Sequence, residues 1–179
     1  TVRKRAITQT FNREGTGLLQ GLVGHDAVLN DVRLGDRPPV AYIRGSKTTC
    51  WIRQLAQRPH EVVLSTMQGK LLLYDMRAPS RAMRTFHGHR NQRARAPCAV
   101  DDDEEFVFAV GDDAVTRVWS LSTGALLASL ASTMPNHQAE WPRPAFSKCW
   151  GGERGNAAVV IAVGDSLNVY RLGAVDDEL

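Results

Sequence analysis

Residues 106–120 read Phe106-Val107-Phe108-Ala109-Val110, then Gly111-Asp112-Asp113-Ala114, then Val115-Thr116-Arg117-Val118-Trp119-Ser120. Two apolar runs flank a short polar segment rich in the residue types that accept turn geometry, which predicts an antiparallel strand pair. The pattern recurs along the chain. Leu18-Leu19-Gln20-Gly21 precedes Val28-Leu29-Asn30-Asp31-Val32-Arg33. Val62-Val63-Leu64-Ser65 and Met67-Gln68-Gly69-Lys70 precede Leu71-Leu72-Leu73-Tyr74-Asp75-Met76-Arg77, and Ala158 to Val163 precedes Leu167-Asn168-Val169-Tyr170.

The second runs end at Asn30, Tyr74, Trp119 and Tyr170, which subtraction places 44, 45 and 51 residues apart. A period of about 40–45 residues is that of a four-stranded propeller blade. The longest interval contains the Pro- and Gly-rich stretch Ser132 to Asn156, expected to form extended connections. Cys50 to Leu55, Ala96 to Val100 and Pro144 to Ser147 fall where innermost strands are needed, and Arg81 to Phe86 and Ala125 to Leu130 where outer strands are needed. No segment combines helical periodicity with caps. The expected fold is all-β, about four consecutive blades of an incomplete propeller ring, at approximately residues 1–40, 41–89, 90–132 and 133–173.

Gly88-His89 before a blade, Asp113 in the tight turn and Trp119 at the end of a third strand resemble the Gly-His, turn-Asp and Trp signature of WD-repeat β-propellers. The resemblance implies a buried structural network of His89, Asp113 and Trp119, left incomplete because Ala109 stands at its Ser/Thr position. The preceding blade carries Gln68 where Asp is expected. Gly24-His25 imitates the signature, but the repeat register puts it in a turn within a blade. These are fold residues, since buried polar groups need partners.

Composition bounds the function. The chain has 179 residues, 43% hydrophobic, enough for a packed core, and a net charge of +3 from 22 basic and 19 acidic residues, too small to argue for nucleic acid. The basic run Arg90 to Arg95 and the acidic run Asp101 to Glu105 are expected to be solvated loops. The longest apolar run, Ala157 to Val163, falls far short of the roughly 20 residues that span a bilayer. Cys50, Cys98 and Cys149 form no CxxC pair, and they suit reduced thiols of a nuclear or cytoplasmic protein. No GxSxG nucleophile elbow, P-loop or clustered nucleophile, base or metal set is present, so neither an enzyme nor a cofactor is expected. His87 and His89 form an HxH pair with no third ligand, and 151–155 is glycine-rich without a phosphate-binding Lys-Ser/Thr. Trp51, Trp141 and Trp150 are expected either between blades or on a surface patch.

Asp31-Val32-Arg33 and Asp75-Met76-Arg77 each follow a blade's third strand, 44 residues apart. Taken alone, Asp-x-Arg there is also an ordinary turn in which Asp caps the backbone. Position for position the two copies resemble the WD-x-R box of WD proteins that dock on the damage-binding adaptor of cullin-4 ubiquitin ligases, with Asn30 and Tyr74 in place of the Trp. Residues 17–170 further resemble the C-terminal propeller half of the cullin-4-associated factor 4 family. That likeness is carried by Phe86 to Asn91, Ala109 to Asp113, Thr116 to Leu121, Ala145 to Ser147 and Ala162 to Leu167. It implies a substrate receptor of a cullin-4 ligase, with Asp31, Arg33, Asp75 and Arg77 contacting the adaptor and an unidentified protein substrate bound elsewhere. A general scaffold in another assembly, such as chromatin or RNA processing, is the alternative.

Four blades do not close an ordinary ring, and the chain opens on Thr1, so further blades are expected upstream. Unpaired blade edges invite association. The 179-residue chain is therefore expected to aggregate or unfold more readily than a longer chain carrying those blades. Light scattering and thermal melting of the two check this, and a monodisperse, cooperatively melting short chain would contradict it.

Overall fold

The computed structural model describes residues 5–35, 37–92, 96–131, 142–150, 156–163 and 165–171. Three four-stranded antiparallel sheets and one three-stranded sheet follow in chain order. The first contains β1 (Ala6–Phe11), β2 (Gly17–Leu22), β3 (Ala27–Asp31) and β4 (Ala41–Ile43). The second contains β5 (Thr49–Gln54), β6 (Glu61–Thr66), β7 (Leu71–Asp75) and β8 (Arg84–Phe86). The third contains β9 (Cys98–Val100), β10 (Phe106–Val110), β11 (Val115–Ser120) and β12 (Leu126–Ala131). The fourth contains β13 (Arg143–Trp150), β14 (Asn156–Val163) and β15 (Ser166–Arg171). The described residues hold no α-helix, and none of their helices is long and apolar enough to cross a membrane. The fold is the expected all-β array of propeller blades.

The continuous apolar runs of β6, β7 and β10 follow from burial on both faces, where strands lose the apolar–polar alternation of a half-exposed sheet. Successive side chains point to opposite faces, and here each face meets a different blade. Val62, Leu64, Leu72 and Tyr74 pack with Leu19, Ala27 and Ile43 of the first sheet. Their chain neighbours Val63, Leu71 and Leu73 pack with Val100, Val107, Ala109 and Trp119 of the third. Phe108 and Val118 turn the other way, onto Val159 and Ile161 of the fourth. Burying one such side chain contributes about 1.5–3 kcal/mol.

Two expectations need correction. The first blade, expected to run to about residue 40, extends to Ile43. Val40 N–H donates to Leu29 O at 2.8 Å and Ala41 to Ile43 continues that ladder, so β4 belongs to the first sheet. The first strand, β1, had no counterpart in the repeat reading. Trp51 is half-buried against the core between the second and third blades, and Trp150 is exposed. Trp141, Arg93 to Arg95, Gly151 to Gly155 and most of the stretch from Ser132 to Asn156 lie outside the described residues.

The His89, Asp113 and Trp119 network is also arranged differently. His89 Nε2 lies 3.2 Å from Ser65 Oγ, on β6 of the second blade. Asp113, in the turn of the third blade, accepts from Arg117 Nη2 at 2.6 Å and Nη1 at 3.0 Å. Trp119, fully buried, donates through Nε1 to His87 O at 2.8 Å and meets the His89 ring edge-on. The physical reason is competition, because Arg117 sits four residues along the same hairpin and gives the carboxylate a charged partner that a neutral imidazole cannot match. The same guanidinium draws Asp113 below its ordinary carboxylate range. His87 is exposed whereas His89 is buried.

Burial, and secondarily the nearby Arg117, pushes His89 down to about 4. The unfolded chain then binds one more proton than the folded one between pH 4 and about 6.5, so stability falls as pH drops through that window, by at most about 3 kcal/mol. Urea titrations at a series of pH values should show this slope, and His89→Asn should flatten it whatever it does to stability at pH 7. An unchanged slope would assign the loss to other groups. At the first joint, a Cβ added to Gly21 would fall on the backbone carbonyl of Thr49 in the next blade. Gly21→Ala is expected to cost about 1–3 kcal/mol by overpacking, read from the denaturation midpoint, and a neutral result would mean that the two blades separate freely there.

Candidate protein-docking rim

Asp31 and Asp75 end the third strands of adjacent blades, and the chain leaves both strands in the same way. Asp31 Oδ1 accepts from Arg33 N at 3.0 Å and Asp75 Oδ1 from Arg77 N at 2.9 Å, each carboxylate capping the tight turn beyond the strand. In the first copy the turn is a 3-10 helix, Val32–Leu34. The side chains then close on each other: Arg33 Nε and Nη2 reach Asp31 at 2.9 and 2.6 Å, and Arg77 Nε and Nη2 reach Asp75 at 2.9 and 2.6 Å. Hydrogen bonding to its own arginine holds each aspartate down at about 2. The turn reading and the forked-cation reading therefore coexist: Asp caps the backbone and also fixes the guanidinium.

The arginine side chains are 68% and 70% exposed and the aspartates 19% and 21%. The ion pair uses two of five guanidinium N–H donors, so three remain to face a partner. A guanidinium already held by a capped carboxylate loses less freedom on binding than a mobile lysine would. Val32 and Leu34 flank Arg33 with 42% and 40% of their surface exposed. Beside the second motif lies a cleft of about 310 Å³ lined by Leu19, Leu29, Val62, Met76 and Pro59 and by the polar Asn12, Glu14, Gln54 and His60. Met76 is the middle residue of the second motif. Two exposed forked cations in equivalent places on adjacent blades, with a cleft of mixed polarity beside one of them, form a surface suited to a protein partner, since Arg is prominent among interface hot spots.

Beyond the predicted residues, sequence reasoning missed those that join blades. Glu104, buried and held at φ 57, accepts from the Ala56 and Gln57 N–H groups across the second joint, and Arg58 Nη2 donates to Glu104 O at 2.8 Å. The DDDEE run points to solvent, yet Asp101 and Glu104 are both buried, and nothing in the run distinguishes these two from their neighbours. Burial pushes Cys50 up to about 11 and Cys98 up to about 12, so both remain protonated thiols at neutral pH. The described residues contain no group of three or more His, Cys, Asp or Glu placed to hold a metal.

The sequence model of the DDB1- and CUL4-associated factor 4 β-propeller domain matches residues 10–172. An uncharacterized WD repeat-containing protein of Caenorhabditis elegans is 34% identical over 172 residues, 95% of this chain and 31% of that protein. DDB1- and CUL4-associated factor 4 of Bos taurus is 35% identical over 171 residues, 92% of this chain and 33% of that protein. Human DDB1- and CUL4-associated factor 4-like protein 2 is 37% identical over 120 residues, 67% of this chain and 30% of that protein. The chain thus spans about a third of the length of these relatives. With its repeated blades and the family match over nearly all of its described length, the chain belongs to the DDB1- and CUL4-associated factor 4 β-propeller family.

Proposed function

We propose that this protein is a non-enzymatic substrate receptor of a cullin-4 ubiquitin ligase, docking on the ligase adaptor through the rim that carries Asp31, Arg33, Asp75 and Arg77. The observation that carries the reading is the repetition: two consecutive blades end their third strands in the same Asp-capped, bidentate Asp–Arg pair, with the cation exposed each time. A single pair of this kind is an ordinary turn. Two in the same place on neighbouring blades give one partner surface two charged contacts, with a cleft of mixed polarity beside the second. The names of the relatives point to the same assembly.

Magnitude separates docking from decoration. A buried interface arginine costs about 2 kcal/mol or more when truncated, roughly thirtyfold in affinity, whereas a solvated rim ion pair is worth at most about 1 kcal/mol. Arg77→Ala is expected to weaken recovery of the cullin-4 adaptor strongly, and Arg33→Ala with Arg77→Ala to abolish it. Melting temperature should barely change, because both side chains are exposed. A folded double variant that recovers the adaptor at the wild-type level would exclude this rim. A wild-type protein that recovers neither adaptor nor cullin would replace the receptor by a general scaffold.

A further inference from the structure

At the opposite ends of the strands the surface has a different chemistry. Glu61 pairs with Asp75 at one end of the β6–β7 hairpin and Ser65 with Leu71 at the other, so the turn at Gln68-Gly69 lies about 13 Å from the docking motif along the strand. On this rim the segments that enter the second and third blades repeat each other. Ile43-Arg44-Gly45-Ser46-Lys47 starts at the last residue of β4, and Phe86-His87-Gly88-His89-Arg90 at the last residue of β8. Ile43 and Phe86 are buried, Gly45 and Gly88 hold φ 78 and φ 90, and Ser46 and His89 are buried. The third strand of each blade fastens its segment in the same way: the Tyr74 hydroxyl donates to Arg44 O at 2.6 Å and Trp119 Nε1 to His87 O at 2.8 Å. The residue that follows is a cation both times. Lys47 and Arg90, which subtraction places 43 residues apart, are both exposed.

Backbone contacts join these positions into one row. Thr48 N–H donates to His25 O at 3.1 Å and Met67 N–H to Thr48 O at 3.0 Å, which ties the Lys47 segment to the β2–β3 turn on one side and to the β6–β7 turn on the other. That second turn packs on Arg90, since a Cβ added to Gly69 would lie 3.6 Å from Arg90 Cα. Arg90 O in turn accepts from Asp112 N–H at 2.8 Å. Lys70, on the β6–β7 turn, is exposed as well. Arg5, whose carbonyl accepts from Val23 N–H at 2.9 Å, adds an exposed cation at the first blade. Among the described residues Lys47, Lys70 and Arg90 form no ion pair, because the neighbouring carboxylates are engaged elsewhere. Asp26 lies 3.9 Å from Arg44, and Asp113 accepts from Arg117 at 2.6 Å. Asp112 alone is left in the row, accepting from Gln92 N–H. At the docking rim each arginine is held by its own aspartate, whereas here the cations stand unmatched.

We propose that this row binds an extended acidic segment of a partner protein, its carboxylates meeting Lys47, Lys70 and Arg90. Packed sheets lie about 10 Å apart and an extended chain rises about 3.3 Å per residue, so Lys47 and Arg90, one blade apart, match acidic side chains about three residues apart. Arg90 also stands at the wall of a polar cavity of about 440 Å³ that Gln68, His89, Gln92 and Asp112 line as well, which gives that end of the row room for a side chain. A nucleic-acid strand fits less well. It needs aromatic faces on which its bases stack and an unbroken cationic path. The described turns of this rim in the first three blades hold no Phe, Tyr or Trp, and Asp112 and Asp113 close the row. The row lies at the far ends of the strands from the Asp-x-Arg rim, so both surfaces can be occupied at once. As a place for ligase substrate it rests on the receptor reading above, but its chemistry does not.

The test titrates acetyl-Gly-Glu-Ser-Gly-Glu-Ser-Gly-Glu-Gly-amide, and the same peptide with Gln in place of Glu, into the full chain and follows amide NMR shifts. The Glu peptide is expected to shift residues 24–26, 47–48, 67–70 and 90 and to bind at least about tenfold more tightly than the Gln peptide, from three surface contacts of up to about fivefold each. Lys47→Gln and Arg90→Gln should each weaken the Glu peptide by about two- to fivefold, and the two combined with Lys70→Gln should remove its advantage. Raising salt from about 0.1 to 1 M should do the same in the unaltered chain, because the screening length falls from about 10 to 3 Å. Arg81→Gln, which removes a charge from the exposed loop between β7 and β8, should change the affinity by less than about twofold. Equal binding of the two peptides, shifts elsewhere, or a loss in Arg81→Gln as large as in Arg90→Gln overturns the site. Single-stranded oligothymidylate binding more tightly than the Glu peptide would replace the acidic segment by nucleic acid. Adaptor recovery is measured alongside: peptide binding without adaptor recovery sinks the receptor reading and leaves the row standing, and the reverse sinks the row alone.

Discussion

The structure depends on strands whose two faces serve two different neighbours. On β6, Val62 and Leu64 belong to the first joint and Val63 to the second, and on β7, Leu72 and Tyr74 divide in the same way from Leu71 and Leu73. These strands keep no side for water, so an isolated blade would expose one apolar face in each direction. Stability then comes from joints as much as from sheets, as in other arrays built of repeated units. It also explains why the sheets tolerate short edge strands such as β4, β8 and β9, three residues each. Their work is to complete a ladder, and the middle strands carry the packing.

Antiparallel hairpins sort the loops between two rims. In the first two blades the loops that leave the third strands carry the capped arginines, and the third blade's turn between second and third strands carries Asp112 and Asp113. One array therefore presents exposed, carboxylate-held guanidinium groups at one end and a polar cavity lined by His89, Arg90 and Asp112 at the other, with the strands fixing the distance between them. A propeller supplies that separation from strand length alone.

Much of this was legible in the sequence. Turn residues at a 44- to 45-residue spacing located the third strands at Asn30, Tyr74 and Trp119, and the Asp-x-Arg copies stood out because they kept the same period. What stayed hidden has physical causes. β1 and β4 are weakly patterned strands at sheet edges, and Pro38-Pro39 disguises the approach to β4. The partner of His89 could not be read because it depends on which of two nearby blades offers the better hydrogen bond. Nothing along the chain says that Arg117 would take Asp113 first. Glu104 was read as solvated from a run of like charges, although three dimensions give it two backbone N–H groups and an arginine.

The second joint is fastened near both rims by groups borrowed across it. Ser65 meets His89 near one end, and Ala56 and Gln57 meet Glu104 near the other. With Arg84 Nη1 donating to Leu121 O at 2.9 Å and Trp119 to His87 O, the fastening also runs along the outer edge. A hinge needs one end loose, and this joint has none. The second and third blades therefore behave as one rigid body of two stacked four-stranded sheets, and any bending of the array is displaced to its other seams.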